Sequence, residues 1–391
     1  MHRYGTPAHR LEGALSSVSE RLGINAEFFS MPTSIIASFK EDKDESTYVQ
    51  RVYPGALHLE KLCSIDSIGE DVASGKLNYL DGAQEIEKIL AKKERYGTLA
   101  RILAYMITSA MLVFYLKGSL LDFYFTLCSG LIIGSLFQIK KRIQINEIFE
   151  VLSSALVSFS AGIYLHYFPT ASIEVLIICP LIVLLPGLEI TVAVQELSTQ
   201  NLTSGTARLM GGVMTLLKLA FGALMGMKFS SLIFPWNINH ASYELPLWIN
   251  YIILPIYALG FTITTRAHIR DYKIILFALF CGLTCNQVGT YIFGNQLLNI
   301  GSEASLFVGG VLISSIANIF ARRANRPSIL ILVPGIILLV PGIVGLKGVS
   351  HIFQHDLLVG LDSMFSMVAN SLSIVVGIFT GNCFVRPRTH L

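Results

Sequence analysis

The stretch Ile173–Lys228 decides the reading of this chain: an apolar segment broken in its middle, CPLIVLLPGLEITVAVQEL (179–197), then a short polar loop, then GTARLMGGVMTLLKLAFGALMG (205–226). The first part is long enough to cross a bilayer core, which takes about 20 apolar residues. It nevertheless carries Pro180, Pro186 and Gly187 near its centre and Glu189 just beyond. A proline inside a helix costs about 3 kcal/mol in soluble proteins. A membrane helix holds one only where the freed backbone groups find other partners, so a break of this kind lines a cavity.

The same design returns later. Pro186, Gly187, Gly205, Gly222 and Gly226 reappear at one constant offset, as Pro341, Gly342, Gly360, Gly377 and Gly381. Five coincidences in residues that shape backbone indicate an internal repeat, so the chain reads as two copies of one unit. A looser match, Cys128–Leu131 against Cys281–Leu283, agrees with it.

Composition sets the class. With 53% apolar and only 14% charged residues among 391, the chain is more hydrophobic than a soluble globule, whose apolar share runs to roughly 45–50%. It reads as a multi-span membrane protein. The net charge of +3 says little, because placement of charge matters more than its sum. The six cysteines, Cys63, Cys128, Cys179, Cys281, Cys285 and Cys383, form no CxxC pair and read as small buried residues, with no metal or cofactor implied.

The first apolar run of bilayer length begins near Leu99, so no cleavable signal is expected and residues 1–97 read as a separate water-soluble α+β domain. Leu11, Leu15, Val18 and Leu22 fall on one helical face between Pro7 and Leu22, and Gly23 supplies the stop. AEFFSM, TSIIASF and TYVQRVY are strand-like runs. Two helices follow, from about Leu57 to Ala73 and from Tyr79 to Lys92, with Ser64, Ser67 and Asn78 as candidate caps. His9, Arg10, Glu12, Ser16 and Ser17 cluster at the first helix. No GxSxG, HExxH or paired-carboxylate pattern accompanies them, so the chain is expected to be no enzyme.

From Leu99 onward ten apolar spans are expected, near 99–116, 120–139, 148–167, 173–194, 208–232, 246–264, 273–293, 304–321, 328–346 and 361–384. Alternate connections hold Lys92, Lys93, Arg95 and Arg101; Lys140, Lys141 and Arg142; Arg208; Arg266, Arg270 and Lys273; Arg322, Arg323 and Arg326; and Arg386 and Arg388. The opposite set holds little beyond Lys117, Lys228 and Lys347. This asymmetry puts both termini in the cytoplasm. Trp236, Trp248, Tyr164 and Tyr167 fall near the outer ends of spans, as interfacial aromatics do. The repeat offset pairs span four with nine and five with ten, giving transmembrane repeats over residues 98–245 and 246–391. Five crossings each mean that the second enters the membrane inverted. The expected fold is therefore mainly α: a polytopic membrane protein of ten transmembrane helices in a 5+5 inverted repeat, as in secondary transporters.

The chemistry is expected between the two broken spans. Pro186 and Gly187 in span four and Pro334, Gly335, Pro341 and Gly342 in span nine would offer half-helix ends, amides at one and free carbonyls at the other. A zwitterion such as a small amino acid suits that pair. Glu189 and Lys218 are the charged residues within spans most expected to matter, either paired with each other or with Glu189 as a proton carrier. Asn286, Gln287, Asn318 and Asn370 are weaker candidates, because interhelical hydrogen bonding is the commoner use of such side chains. Asp362 reads as a solvated end charge.

Three runs, YGTPAHRLEGAL (4–15), PGLEITVAVQELSTQNLTSGTARL (186–209) and PSILILVPGIILLVPGIVGLKG (327–348), resemble the threonine/serine exporters, and more closely their fungal branch, the pheromone-regulated membrane proteins. The resemblance covers nearly the whole chain. It implies ten spans, a cytoplasmic amino-terminal domain and export of threonine and serine driven by a proton gradient. It also implies a further helix upstream of YGTPAHRLE, where this sequence has only Met1–Arg3. The alternative is a non-transporting membrane protein with a regulatory or mating-related role on the same fold. An intramembrane protease is excluded by the lack of a pair of membrane aspartates. The partners are the lipid bilayer and a small amino acid, with no nucleic acid. A homo-oligomer, and the choice between the plasma membrane and an internal membrane, stay open.

Overall fold

The computed structural model describes residues 2–41, 44–53, 55–140, 144–235, 246, 248–293 and 301–387. Lys141, Arg142, Trp236 and Arg388, invoked above for orientation, lie outside the described residues. The protein is mainly helical, with one small sheet near its amino terminus.

The amino-terminal part begins with α1 (Ala8–Arg21), which buries Ala8, Leu11 and Ala14. Leu15 and Val18 are half-buried, and Leu22, just past the helix, is exposed. Gly23 stops the helix with a φ of +70°, a left-handed conformation that favours glycine. The strands β1 (Asn25–Met31), β2 (Ser34–Glu41) and β3 (Asp44–Arg51) form an antiparallel meander, with Phe28 opposite Ala37 and Ala37 opposite Tyr48. Two helices follow, α2 (Leu59–Ala73) and α3 (Tyr79–Ala91). Asn78 caps α3 by accepting from the Leu80 amide, as expected. The cap of α2 is His58, whose Nδ1 accepts from the Lys61 amide at 3.3 Å. Ser64 lies inside α2 and donates back to the Glu60 carbonyl, a use that competes with capping.

The apolar part holds α4 (Thr98–Tyr115), α5 (Leu120–Ile139), α6 (Phe149–Tyr167), α7 (Ile173–Leu181), α8 (Gly187–Ser198), α9 (Leu202–Ile233) and α10 (Trp248–Thr264). It continues with α11 (Tyr272–Phe293), α12 (Gly301–Ala324), α13 (Ile329–Ile337), α14 (Gly342–Phe353) and α15 (Leu357–Phe384). Among the described residues, seven helices are long and apolar enough to cross a bilayer by themselves. The count is nine when each of two bent pairs, α7 with α8 (57°) and α13 with α14 (41°), is one span. The ten expected spans are thus not all matched: α10 is apolar but has 17 residues.

Corresponding elements have corresponding shapes. Helices α8 and α14 are both 12 residues long, and the prolines that precede them share one conformation, φ −82° and ψ 28° at Pro186, φ −84° and ψ 33° at Pro341. Helix α9 packs along α6, and α15 packs along α12. Gly222 lets α9 close onto the Val151 carbonyl, and Gly377 lets α15 close onto the Phe307 carbonyl. Across the molecule α4 meets α10, α9 meets α14, and α15 meets α8.

The amino-terminal part is docked on this bundle. Leu59 and Leu62 of α2 share a buried cluster with Leu254, Phe261, Ile275 and Val333. The first amides of α2, which have no partner inside their own helix, donate to carbonyls of the turn just past α10, Leu59 to Thr265 at 3.0 Å and Glu60 to Arg266 at 3.2 Å. Tyr96 Oη adds a bond to the Ala267 carbonyl. Of the cysteines expected inside, Cys179 is fully buried, Cys128 and Cys383 are exposed and the rest are half-buried; none is disulfide-bonded. A small side chain on an apolar helix faces lipid as readily as protein.

Candidate functional site

The break in the first bent pair is built in three steps. Helix α7 ends at Leu181, one 3-10 turn covers Ile182–Leu184, and the chain re-enters a helix at Gly187. Proline at 186 has no amide to donate and needs none just before a helix starts. In the second pair α13 ends at Ile337 and α14 starts at Gly342 after Pro341.

The two restarts meet. A methyl built on Gly187 would lie 3.0 Å from the Gly342 nitrogen and 3.1 Å from its Cα, and one on Gly342 would lie 3.2 Å from the Gly187 Cα. The amino-terminal ends of α8 and α14 therefore touch through bare backbone. Their partial positive charges converge on one point of the bundle. Of the carbonyls freed by the second break, that of Leu338 is taken by Tyr115 Oη at 3.1 Å, and Asn286 Nδ2 donates to that hydroxyl at 2.6 Å. Asn286 thus serves as an interhelical link. Asn318 does the same between α12 and the end of α15, donating to Asn382 and to the Val385 carbonyl.

Beside this contact, toward the amino-terminal domain, a cavity of about 180 Å³ opens between α8 and α13. Glu189, Thr191 and Gln195 of α8, Val333 and Ile336 of α13 and Arg208 of α9 line it, and Pro7 and Arg10 roof it. Its volume falls below the roughly 300–1,000 Å³ of pockets for drug-sized ligands and suits a smaller solute. Glu189 is exposed into this space and has no hydrogen-bond or ion-pair partner among the described residues. Arg208 and Glu150 are the charged groups near enough to act on it.

The expected site residues separate. Glu189 lines the cavity, whereas Gly187 and Gly342 form the backbone contact, Pro186 and Pro341 immediately precede them, and none of the four is among the residues lining it. Pro334 lies inside α13, Gly335 packs against Ile313, and Gly282 of α11, lacking a side chain, lets that helix approach the Gly335 carbonyl. Lys218 sits apart: its Nζ donates to the Glu147 carbonyl at 2.9 Å and lies 3.6 Å from Glu150 Oε2. The pairing expected with Glu189 is replaced by one with the start of α6, because Lys218 lies on the side of α9 that meets α6.

A second charged centre escaped the sequence reading. Glu196, fully buried near the end of α8, accepts from Arg208 Nε and Nη2 at 3.1 Å each, from Ser204 Oγ at 2.9 Å and from the Ala8 amide at 2.9 Å. Four donors on one carboxylate satisfy a charge that would otherwise be costly to bury. The Ala8 bond also puts that charge at the amino terminus of α1. The available signal was Ser204 and Arg208, polar residues four apart and so on one face of a largely apolar helix.

Between α1, α2 and the bundle lies a larger cavity of about 370 Å³, lined by His9, Arg10, Asp66, Gln195, Arg326 and Ser328 among others. Burial, followed by the charge of Arg10, pushes the His9 imidazole down to about 4. Hydrogen bonding to Asp271, at 2.5 Å, holds the Arg326 guanidinium above its ordinary value.

Comparison with known proteins agrees with this architecture. A threonine/serine exporter family model matches residues 1–230, and a second, for "Threonine/Serine exporter, ThrE", matches residues 250–384. "Pheromone-regulated membrane protein 10" of Kluyveromyces lactis is 27% identical over 98% of this chain and 42% of its own length. The protein of the same name from Saccharomyces cerevisiae strain YJM789 is 25% identical over 98% of this chain and 52% of its own. This chain thus spans about half the length of those relatives. The version from Saccharomyces cerevisiae strain S288c is 24% identical over 90% of this chain and 97% of its own length. No solved structure matches. A bundle of bilayer-length helices with two broken pairs, matched from one end to the other by these family models, belongs to the threonine/serine exporter family.

Proposed function

We propose that the protein is a secondary transporter that exports threonine, serine or a similar small amino acid, with Glu189 in the substrate cavity carrying the coupling proton. The observation that carries this reading is the placement of a carboxylate with no hydrogen-bond or ion-pair partner among the described residues in a small cavity between two broken helices. An ionisable group at membrane depth costs about 2.5–3.5 kcal/mol even on the lenient insertion scale, and is retained where it pairs or works. Paired with a substrate ammonium in one step and a proton in another, Glu189 would be neutralised in both.

In this reading α10 is a span, the ten spans form two inverted units of five, and the axis relating them passes through the Gly187–Gly342 contact. The equal lengths of α8 and α14, their matched prolines and the reciprocal packing of α8 on α15 and α14 on α9 support it. Both termini are cytoplasmic, as the lysine and arginine asymmetry favours, so the cavity faces inward and the Gly187–Gly342 contact closes it from outside.

The test is transport in proteoliposomes of the purified full chain loaded with labelled threonine or serine. An imposed proton gradient should drive efflux, and Glu189→Gln should abolish that drive while exchange of substrate without a gradient persists at weakened substrate affinity. Absence of any amino-acid movement by a folded, reconstituted protein would overturn the transport reading. Gradient-driven efflux by Glu189→Gln at the unmodified rate would overturn the proton role.

A further inference from the structure

We infer that the amino-terminal domain completes the substrate site, with the Arg10 guanidinium receiving the substrate carboxylate across the cavity from Glu189. The inference rests on the reading of the bundle as an amino-acid transporter, and adds the residue that would tell an amino acid from an amine.

Arg10 belongs to α1, outside the bundle, yet it lines both cavities and stands with Glu189 around the smaller one. Its position is fixed from two sides. The α1 amino terminus is tied to α8 by the Ala8–Glu196 hydrogen bond, two residues before it. Its own Nη1 reaches Ser328, at the start of α13, at 3.4 Å. That is a long contact, and a guanidinium has five donors, so most of its hydrogen-bonding capacity is free among the described residues. Burial disfavours its charge and Asp66 is the neighbour that offsets it. A desolvated, under-bonded guanidinium that opens onto a cavity is a receptor for a planar anion, and a carboxylate takes it bidentately.

The other cation of the cavity is less available. Arg208 spends Nε and Nη2 on Glu196, so an incoming carboxylate there would compete with a buried ion pair. Glu189 on α8 and Arg10 on the roof therefore form the acid and base ends of a site for a zwitterion, with Val333 and Ile336 beside them for the side chain. The class of ligand is a small α-amino acid with a free carboxylate. The arrangement also links the two parts of the chain: a substrate held by Arg10 and Glu189 bridges the amino-terminal domain and the bundle.

Binding by the purified full chain, followed as ligand-dependent thermal stabilisation, separates the possibilities with two probes: threonine, and threoninol, which keeps the ammonium and both carbons of the side chain but has no carboxylate. The unsubstituted protein should bind threonine roughly ten- to a hundredfold tighter than threoninol. Arg10→Gln should weaken threonine to the threoninol level and leave threoninol unchanged, and Arg10→Lys should retain part of the difference. Equal weakening of both ligands by Arg10→Gln would reduce Arg10 to a packing role and overturn the inference, as would unaltered threonine binding. Failure of the unsubstituted protein to bind either probe would instead remove the transport reading, and this inference with it.

Discussion

Gly187 and Gly342 are fixed in identity by each other. A side chain at 187 would meet Val340 and the Gly342 backbone, and the backbone cannot give way as the tip of a flexible side chain can. Gly187→Ala and Gly342→Ala are each expected to destabilise by about 1–3 kcal/mol, the usual cost of overpacking. Gly211→Ala, which meets nothing within 4 Å, is the control. Thermal unfolding of the purified variants checks this, and unaltered melting of Gly187→Ala would show that the two helix starts have room between them. His9 sets a pH dependence. Its folded value of about 4 lies below the ordinary 6.5, so between those limits the unfolded chain binds more protons than the folded one. Its contribution to stability is complete above pH 6.5 and is lost as pH falls through 4, with Arg10 opposing and Glu196 favouring protonation. Proteolytic nicking near α1 should rise over that window, and the rise should shrink in His9→Gln.

At the scale of elements the two halves solve one packing problem in opposite ways. Where α8 faces α9, large Ile190 fills the space over Gly212; where α14 faces α15, Gly345 lies under large Met367. A methyl on Gly345 would strike Met367 Sδ and come within 2.9 Å of Leu216, so Gly345→Ala should destabilise alone and be relieved by Met367→Ala. The coupling in a double-mutant cycle is expected at about 0.5–3 kcal/mol, with the same sign for Gly212→Ala and Ile190→Ala. An additive result would mean the helix pairs adjust independently. The docking of the amino-terminal domain divides similarly, between the apolar seat of α2 and the buried charge under α1. Glu196→Gln leaves Arg208 without its counter-charge, a change that costs about 3–5 kcal/mol in a buried pair. Hydrogen exchange should then rise across Ala8–Arg21 while Leu59–Ala73 stays protected. Equal loosening of both helices would mean that α2 depends on α1 for its seat.

At the scale of the molecule the orientation reading has a direct measurement. In a background without the six cysteines, a cysteine replacing Lys117, between α4 and α5, should react with an impermeant reagent applied outside the cell, and one replacing Arg323, at the end of α12, should not. The reverse pattern would turn the protein over and place the cavity outside. The sequence by itself determined the class of fold, because bilayer-length apolar runs admit few structures other than helices. It determined the two breaks as well, since the Pro-Gly pairs at 186–187 and 341–342 act on the local backbone, whereas Pro180, Pro255 and Pro334 are carried inside helices. The recurrence of both at one offset was legible for the same reason. Only the tertiary structure decided which charges meet. Lys218 found Glu150 and not Glu189, and Arg208 found Glu196, because a partner is chosen by the direction a helix face points after packing, which spacing along the chain does not fix. The place of Arg10 was hidden for the same reason: it stands far from Glu189 in sequence and reaches the same cavity through the docking of α1 on α8.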